Sequence, residues 1–383
     1  MRFEFATSTR IVFGVGTLGE AAPVARSFGK RALLVVGKSV ARAERLLEQL
    51  QAEGVNVSLF HVSGEPTIET VSAGVAQAHA EGCDLVIGLG GGSALDAGKA
   101  IAALLTNQGD IYDYLEVVGH GKALVHTSAP FIAIPTTSGT GSEVTRNAVL
   151  TDTVHNAKIS LRSAFMLPRL AIVDPALTYG LPPEVTAGSG MDALTQLIEP
   201  FLSSAANPIS DLFCRDGLVR GAQALRQAYE NDDHAARAEM ALTSLLGGLA
   251  LSNARLGAVH AFAGAIGGMF NAPHGALCAR LLPPVMNANL KALQERAPQS
   301  PTLMRFTELA QILTGNPQAQ AKEGIAWLKV LSAEFKIPSL ASYGAQKPFF
   351  LAIVAQAKRA NSMKGNPVEL TDAELIDILV EAL

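Results

Sequence analysis

Hydrophobic and polar positions follow two alternating rhythms through the first half of this 383-residue chain. Short, largely apolar runs, ALLVV at 32–36, VSLF at 57–60, DLVIGL at 84–89 and FIAIP at 131–135, predict strands. Between them, apolar residues recur at helical spacing over 40–52, 67–81 and 93–105. Strand and helix in succession predict βαβ units and a parallel sheet, an architecture suited to nucleotides. Open sheets of this kind bind ligands beyond the carboxyl ends of their strands, so chemistry is expected in the loops that follow them.

From about Leu181 the texture changes. Strand-like runs give way to long Ala/Leu segments with helical spacing, interrupted at Pro183, Pro208, Pro283 and Pro338. The pattern predicts two domains: an amino-terminal α/β domain over 1–181 and an all-helical domain over 182–383, meeting near TYGLPPEV (178–185). Neither internal repeats nor a low-complexity linker are present. The longest uncharged run, Leu256–Pro273, approaches the length of a membrane span, but it carries His260, four glycines and a closing proline, and it predicts a buried helix. The opening MRFEFATSTR has charges where a secretory signal needs an apolar stretch, so no export is expected.

Composition narrows the classes. With 49% hydrophobic and 17% charged residues and a mean hydropathy of +0.26, the chain is apolar enough for large buried elements or an oligomer interface. A net charge of -4 argues against nucleic acid as a partner. Cys83, Cys214 and Cys278 are odd in number and lack CxxC spacing, which points to a reducing, cytoplasmic setting rather than a disulfide framework.

Three glycine-bearing stretches imitate nucleotide motifs. GVGTLG (14–19) fits GxGxxG, but the acid expected some twenty residues on is replaced by Gly37 or Lys38, so a plain turn after the first strand is the better reading. Gly37, Lys38 and Ser39 imitate the end of a P-loop, whose first glycine would fall on Ala32 inside a strand. The informative stretch is GLGGGSALDAGKA (88–100). There Gly90, Gly91 and Gly92 follow a strand and run into a helix with Ser93 near its start, where backbone without Cβ and open amides suit a pyrophosphate. PTTSGTGSE (135–143) is a second such loop, able to converge on the same nucleotide. Asp96 and Lys99, further along the 88–100 stretch, are either braces for the first loop or ordinary solvated helix residues.

GGGSALDAGK, PTTSGTGSE, GMDALTQLIE and HAFAGAIGGMFNAPHG, in that order and spacing, resemble the iron-containing (group III) alcohol dehydrogenase family. Similarity runs from about Phe13 to Pro284 and includes RIVFGVGTLGEAA and LPRLAIVDPALT. The resemblance implies a parallel-sheet dinucleotide-binding domain followed by a helical metal-binding domain, the architecture shared with dehydroquinate synthase. It also implies NAD(P), a divalent metal (Fe2+ or Zn2+) and a homodimer. Asp192, His260 and His274 fall on family ligands, while a further family histidine falls on Gln196, a weaker donor. Gly90, Gly91, Gly92 and Ser93 would hold pyrophosphate, Asp96 would brace that loop, Thr136, Thr137 and Thr140 would line the cofactor site, and Lys158 would contact ribose. Gly37, beside Lys38 and Ser39, occupies the place of an acid that excludes a 2'-phosphate, so NADP is admitted. Gly264 replaces a histidine that many members carry near the substrate.

The residues support a metal on their own account. Asp192 lies among apolar residues with only neutral Gln196 one helical turn away, and of eight histidines only His260 and His274 share that apolar segment. A dication supplies the charge that a buried carboxylate lacks. The expected activity is reversible hydride transfer between NAD(P)H and a small aldehyde or ketone, with Asp192, His260 and His274 as the catalytic centre and the metal polarising the oxygen. Two other readings are a maleylacetate reductase-like enzyme without tightly bound metal and a nucleotide-binding protein whose catalysis has lapsed.

Overall fold

The computed structural model describes residues 2–383 except Lys38, Ser39, Val117 and Asn156, and for Val40 and Ala41 the backbone alone. Two compact units result, Ala6–Gly180 and Leu181–Leu383, the latter joined by residues up to Phe5. Phe5 seats on Phe213 of the second unit with ring centroids 5.9 Å apart.

The first unit is built on strands β1 (Ile11–Phe13), β2 (Arg31–Val36), β3 (Asn56–His61), β4 (Leu85–Gly90) and β5 (Phe131–Pro135), an antiparallel ribbon of β6 (Asn147–Asp152) and β7 (Ala157–Arg162), and β8 (Leu170–Val173). Helices α1 (Ala21–Phe28), α2 (Glu44–Ala52), α3 (Ile68–Ala80) and α4 (Gly92–Thr106) alternate with the early strands. Six strands form one parallel sheet in the order β1-β8-β5-β4-β2-β3. Its four inner strands, β8, β5, β4 and β2, are apolar because both faces are covered. Along β2, Leu33 and Val35 join one core cluster while Ala32, Leu34 and Val36 join the opposite one.

Chain order reverses between β2 and β4, where such sheets seat ligands. Register makes that point specific: Val36 pairs with Leu89 and Gly90 with Pro135, so Gly37, Gly91 and Thr136 leave the sheet at one level. The predicted helix at 40–52 is a 3-10 turn over Val40–Ala43 followed by α2. The β6–β7 ribbon escapes the sequence pattern because β6 and the strand facing it alternate buried and half-exposed positions over only six residues each.

The second unit is helical: α5 (Pro183–Leu202), α6 (Pro208–Asn231), α7 (His234–Asn253), α8 (Ala258–Phe270), α9 (His274–Arg296), α10 (Thr302–Thr314), α11 (Ala321–Glu334), α12 (Phe350–Arg359) and α13 (Asp372–Ala382). Pro183 and Pro208 occupy first-turn positions, where a missing N–H costs nothing. Pro283 does not interrupt a helix as expected; α9 continues through it and Pro284. Packing explains the exception, since both prolines are buried and the Ala279 carbonyl, which Pro283 cannot bond, accepts instead from Ser332 Oγ at 3.2 Å. Leu256–Pro273 contains α8, and among the described residues no helix is long and apolar enough to cross a membrane.

Candidate metal centre and nucleotide loops

Three helices of the second unit bring Asp192, His260 and His274 together. On α5, Asp192, Gln196 and Glu199 stand at i, i+4 and i+7, a single stripe. Helix α8 presents His260 in its first turn and ends at Asn271, which takes the left-handed conformation (φ 50°) that this residue type tolerates. The chain then turns through Pro273 into α9, whose first residue is His274. Helices α5 and α9 touch backbone to backbone: a Cβ on Gly275 would lie 2.4 Å from the Gly188 carbonyl oxygen. Only glycine permits this approach, and it carries His274 to the turn of α5 that bears Asp192.

His260 Nε2 lies 3.4 Å and His274 Nε2 3.7 Å from Asp192 Oδ1, and the two imidazole centroids are 5.5 Å apart. Cys278, one turn beyond His274, places Sγ 3.6 Å from His274 Nε2. Glu199 fixes the tautomer of His260. Its carboxylate can only accept, so the Nδ1–H donates to Oε2 at 2.6 Å and Nε2 is the nitrogen left facing Asp192, able to offer its lone pair to a cation once it sheds its proton. The other oxygen of Glu199 accepts from the Val259 amide at 2.7 Å, capping the start of α8.

The result is a buried place lined by acceptors. Asp192 is 2% exposed, and among the described residues Asp192 Oδ1, Gln196 Oε1 and His260 Nε2 are buried atoms without a hydrogen-bond partner. Acceptors gathered in a dry interior require a positive charge among them, a proton or a cation. The pKa values express the same demand. Burial alone would raise Asp192, but the His274 charge and the His260 contact outweigh it and hold the carboxyl at about 2. Burial would lower His260, but Asp192 and Glu199 outweigh it and push the imidazole up to about 9, so without a cation Nε2 carries a proton toward Asp192, which a bound cation would displace. Asp192, His260 and His274, with Gln196 on the same stripe, therefore fit a divalent cation by donor type and spacing.

At the carboxyl edge of the sheet in the first unit, α4 begins on Gly91 without a side-chain cap. The two sequence-predicted loops touch. A Cβ on Gly91 would lie 3.3 Å from Thr137 Oγ1, one on Gly92 would lie 2.7 Å from Thr140 Cγ2, and the Thr136 amide donates to the Gly90 carbonyl at 2.9 Å. Ser93 occupies the first turn of α4. A Cβ on Gly90 would lie 3.3 Å from the Gly37 amide nitrogen, so Gly37 joins the same group, with open space around it. Lys38 and Ser39 lie outside the described residues. Lys158 stands on β7, with Nζ 3.2 Å from Glu65 Oε1.

Asp96 and Lys99 are not solvated helix residues. Asp96 accepts from Ser142 Oγ and, at 2.9 Å, from the Val149 amide. Lys99 is 0% exposed and donates to Ser142 Oγ, Thr145 Oγ1 and the Asn147 carbonyl at 2.9, 2.8 and 2.7 Å. Together they clamp α4 to the end of the PTTSGTGSE loop and to β6. Burial raises the carboxyl of Glu143, on that loop, to about 7 against the pull of Lys99.

The sequence motifs assign no role at the site to Glu199, Cys278 or Glu143. For the first two a signal existed, because Glu199 continues the i, i+4, i+7 stripe from Asp192 and Cys278 stands four residues after His274. For Glu143 only the burial of its loop reveals the strain on its charge.

Comparison with known proteins agrees with this fold. The family pattern for iron-containing alcohol dehydrogenase matches residues 8–175, and that for the C-terminal region of the Fe-containing alcohol dehydrogenase family matches residues 186–383. Alcohol dehydrogenase 4 of Saccharomyces cerevisiae (strain YJM789) is 34% identical over 377 residues, covering 97% of this chain and 96% of its own. The crystal structure of a 1,3-propanediol oxidoreductase superposes with a TM-score of 0.92 at 33% identity, covering both chains completely. Sulfoacetaldehyde reductase from Bifidobacterium kashiwanohense, solved in complex with NAD+, superposes with a TM-score of 0.86 at 29% identity over 100% of this chain and 99% of its own. The family works with NAD(P) and with iron or another divalent metal. The parallel sheet with its paired glycine loops, the helical unit with its buried Asp and His donors, and two family patterns that together span most of the sequence lead to one assignment: the chain belongs to the iron-containing alcohol dehydrogenase family, as an NAD(P)-dependent oxidoreductase acting on CH–OH donors.

Proposed function

We propose that this protein is a metal-dependent alcohol dehydrogenase, or aldehyde reductase in the reverse direction, that moves a hydride between NAD(P)H and the carbonyl carbon of a small aldehyde or ketone. The observation that carries this reading is the pair of buried atoms, Asp192 Oδ1 and His260 Nε2, that face each other 3.4 Å apart without a hydrogen-bond partner. Asp192, His260 and His274, with Gln196, would hold Fe2+ or Zn2+. A dication there supplies Lewis acidity toward the substrate oxygen.

The chain's own residues do the rest. Glu199 keeps the His260 ring in one tautomer and orientation. His274, whose side chain is 29% exposed against 8% for His260, marks the side from which a small substrate enters. Gly264, one turn after His260, has open space where a side chain would stand, since a Cβ there would meet no atom within 4 Å. In the first unit Gly90–Ser93 at the start of α4 suit a pyrophosphate, and Thr136, Thr137 and Thr140 form the facing wall. Asp96 holds both loops in register through Ser142 and Val149. Gly37 places no carboxylate at the end of β2, a position where an acid would repel a 2'-phosphate, so NADP is accepted alongside NAD. Lys158 would reach ribose only by leaving Glu65. A maleylacetate reductase-like centre without metal is the weaker reading, because it leaves Gln196 Oε1 without a partner and the Asp192 charge to the imidazoles alone.

The test is to purify the protein without chelator, determine bound metal, and follow NAD(P)H absorbance with short aldehydes and alcohols. Asp192→Ala is expected to lose both metal and turnover. Full activity in that variant sinks the Lewis-acid role.

A further inference from the structure

Gln196 stands where the family resemblance puts an imidazole, which leaves the centre one strong donor short. Cys278 is in place to supply it. Its thiol is 0% exposed, on the turn of α9 that follows His274, and its Sγ lies 3.6 Å from His274 Nε2. Ligand atoms of Asp192, His260, His274 and Cys278 all fall within 4.8 Å of one another. A tetrahedral zinc ion with bonds of about 2.0–2.3 Å sets neighbouring ligand atoms about 3.3–3.7 Å apart. Three of the six edges, 3.4 Å from His260 to Asp192, 3.7 Å from Asp192 to His274 and 3.6 Å from His274 to Cys278, match, and the other three stay within 4.8 Å. The independent sign that something binds here is the pair of partnerless buried atoms, Asp192 Oδ1 and His260 Nε2.

We propose that Cys278 is a metal ligand in this protein, so that the cation is held by an Asp-His-His-Cys set and zinc is preferred over iron. On binding, the Cys278 S–H bond breaks, the proton leaves to solvent, and a sulfur lone pair goes to the cation; no electron is transferred. Thiolate is a soft donor and selects a thiophilic ion. A second anion beside Asp192 also balances the dication fully, which a neutral glutamine cannot do. The inference rests on the metal reading of the centre given above.

Cobalt(II) separates the two. The metal-stripped full-length protein, reloaded with Co2+, is expected to show visible ligand-field bands together with a near-ultraviolet thiolate-to-cobalt charge-transfer band. Cys278→Ser should keep the visible bands, lose the charge-transfer band, and hold zinc at least about tenfold more weakly in competition with a chromophoric chelator. Cys83→Ser should leave the spectrum unchanged. Bound cobalt without the charge-transfer band in the wild type, a measurement that needs no variant, overturns the Cys278 assignment and leaves the metal centre standing. Absence of cobalt binding, or binding that survives Asp192→Ala unaltered, removes the metal centre and this inference with it.

Discussion

Glu199 is a buried carboxylate that touches neither substrate nor cation in the proposed centre, yet it decides what His260 can do. Replacing it by glutamine keeps the shape and lets the amide oxygen accept from Val259. The amide nitrogen then faces His260 Nδ1 as a donor, which turns the tautomer over and aims an N–H at Asp192. Glu199→Gln is expected to fold normally and to lower metal affinity about 10–100-fold, read by titration of the stripped protein. A second single-residue effect belongs to Glu143. Its folded-state pKa, about 7, lies above the ordinary 4.5 because burial disfavours the charge. The favourable contribution is complete below about pH 4.5 and is lost as pH rises toward 7, since the unfolded chain has already released that proton. Urea unfolding should therefore show stability falling by on the order of 3 kcal/mol across that window from this group, and Glu143→Gln should flatten the decline.

At the level of elements, the close pass of α5 and α9 sets the site more than any one ligand does. An added methyl at Gly275 has only the Gly188 backbone to meet, so the helices must separate. Gly275→Ala is expected to cost about 1–3 kcal/mol and to reduce bound metal, as His274 rides away from Asp192. Gly264→Ala is the control, because its Cβ meets nothing within 4 Å. Replacing a helical glycine there should add up to about 1 kcal/mol in thermal or urea unfolding. Much of this level was legible in the sequence. Strands buried on both faces read as unbroken apolar runs, and the Asp and His donors stood out because ionisable residues are scarce in apolar helices. Helix α9 running through Pro283 was not legible, because what permits it is a hydroxyl at Ser332, 49 residues on, that takes over an abandoned carbonyl. The β6–β7 ribbon was hidden because six half-buried residues give a period-2 signal too short to separate from a loop.

For the whole molecule, the proposed nucleotide loops belong to the unit Ala6–Gly180 and the proposed metal donors to the unit Leu181–Leu383. Cation removal should accordingly act on one function before the other. Chelation is expected to lower the unfolding free energy by roughly 3–4 kcal/mol if the ion is normally present at 100 to 1,000 times its dissociation constant. Binding of NADPH, followed by its fluorescence, should persist in the chelated protein. Loss of NADPH binding on chelation would contradict that separation. The two units differ in how much of their chemistry a sequence can announce. Glycine loops are contiguous and local, whereas the cage around Asp192 is assembled from three helices spread over almost ninety positions, so the proposed donors stood out by type while their convergence, and the contacts of Glu199 and Cys278 with them, emerged only once the helices were packed.

The double duty of Glu199 has a practical outcome. Because one carboxylate both restrains the imidazole and seals the first turn of α8, loading the centre and quieting that turn become a single event. Deuterium uptake at the Val259 amide would then serve as a silent gauge of occupancy, slow when the cage is filled and faster when it is emptied, with no coloured ion and no substrate required.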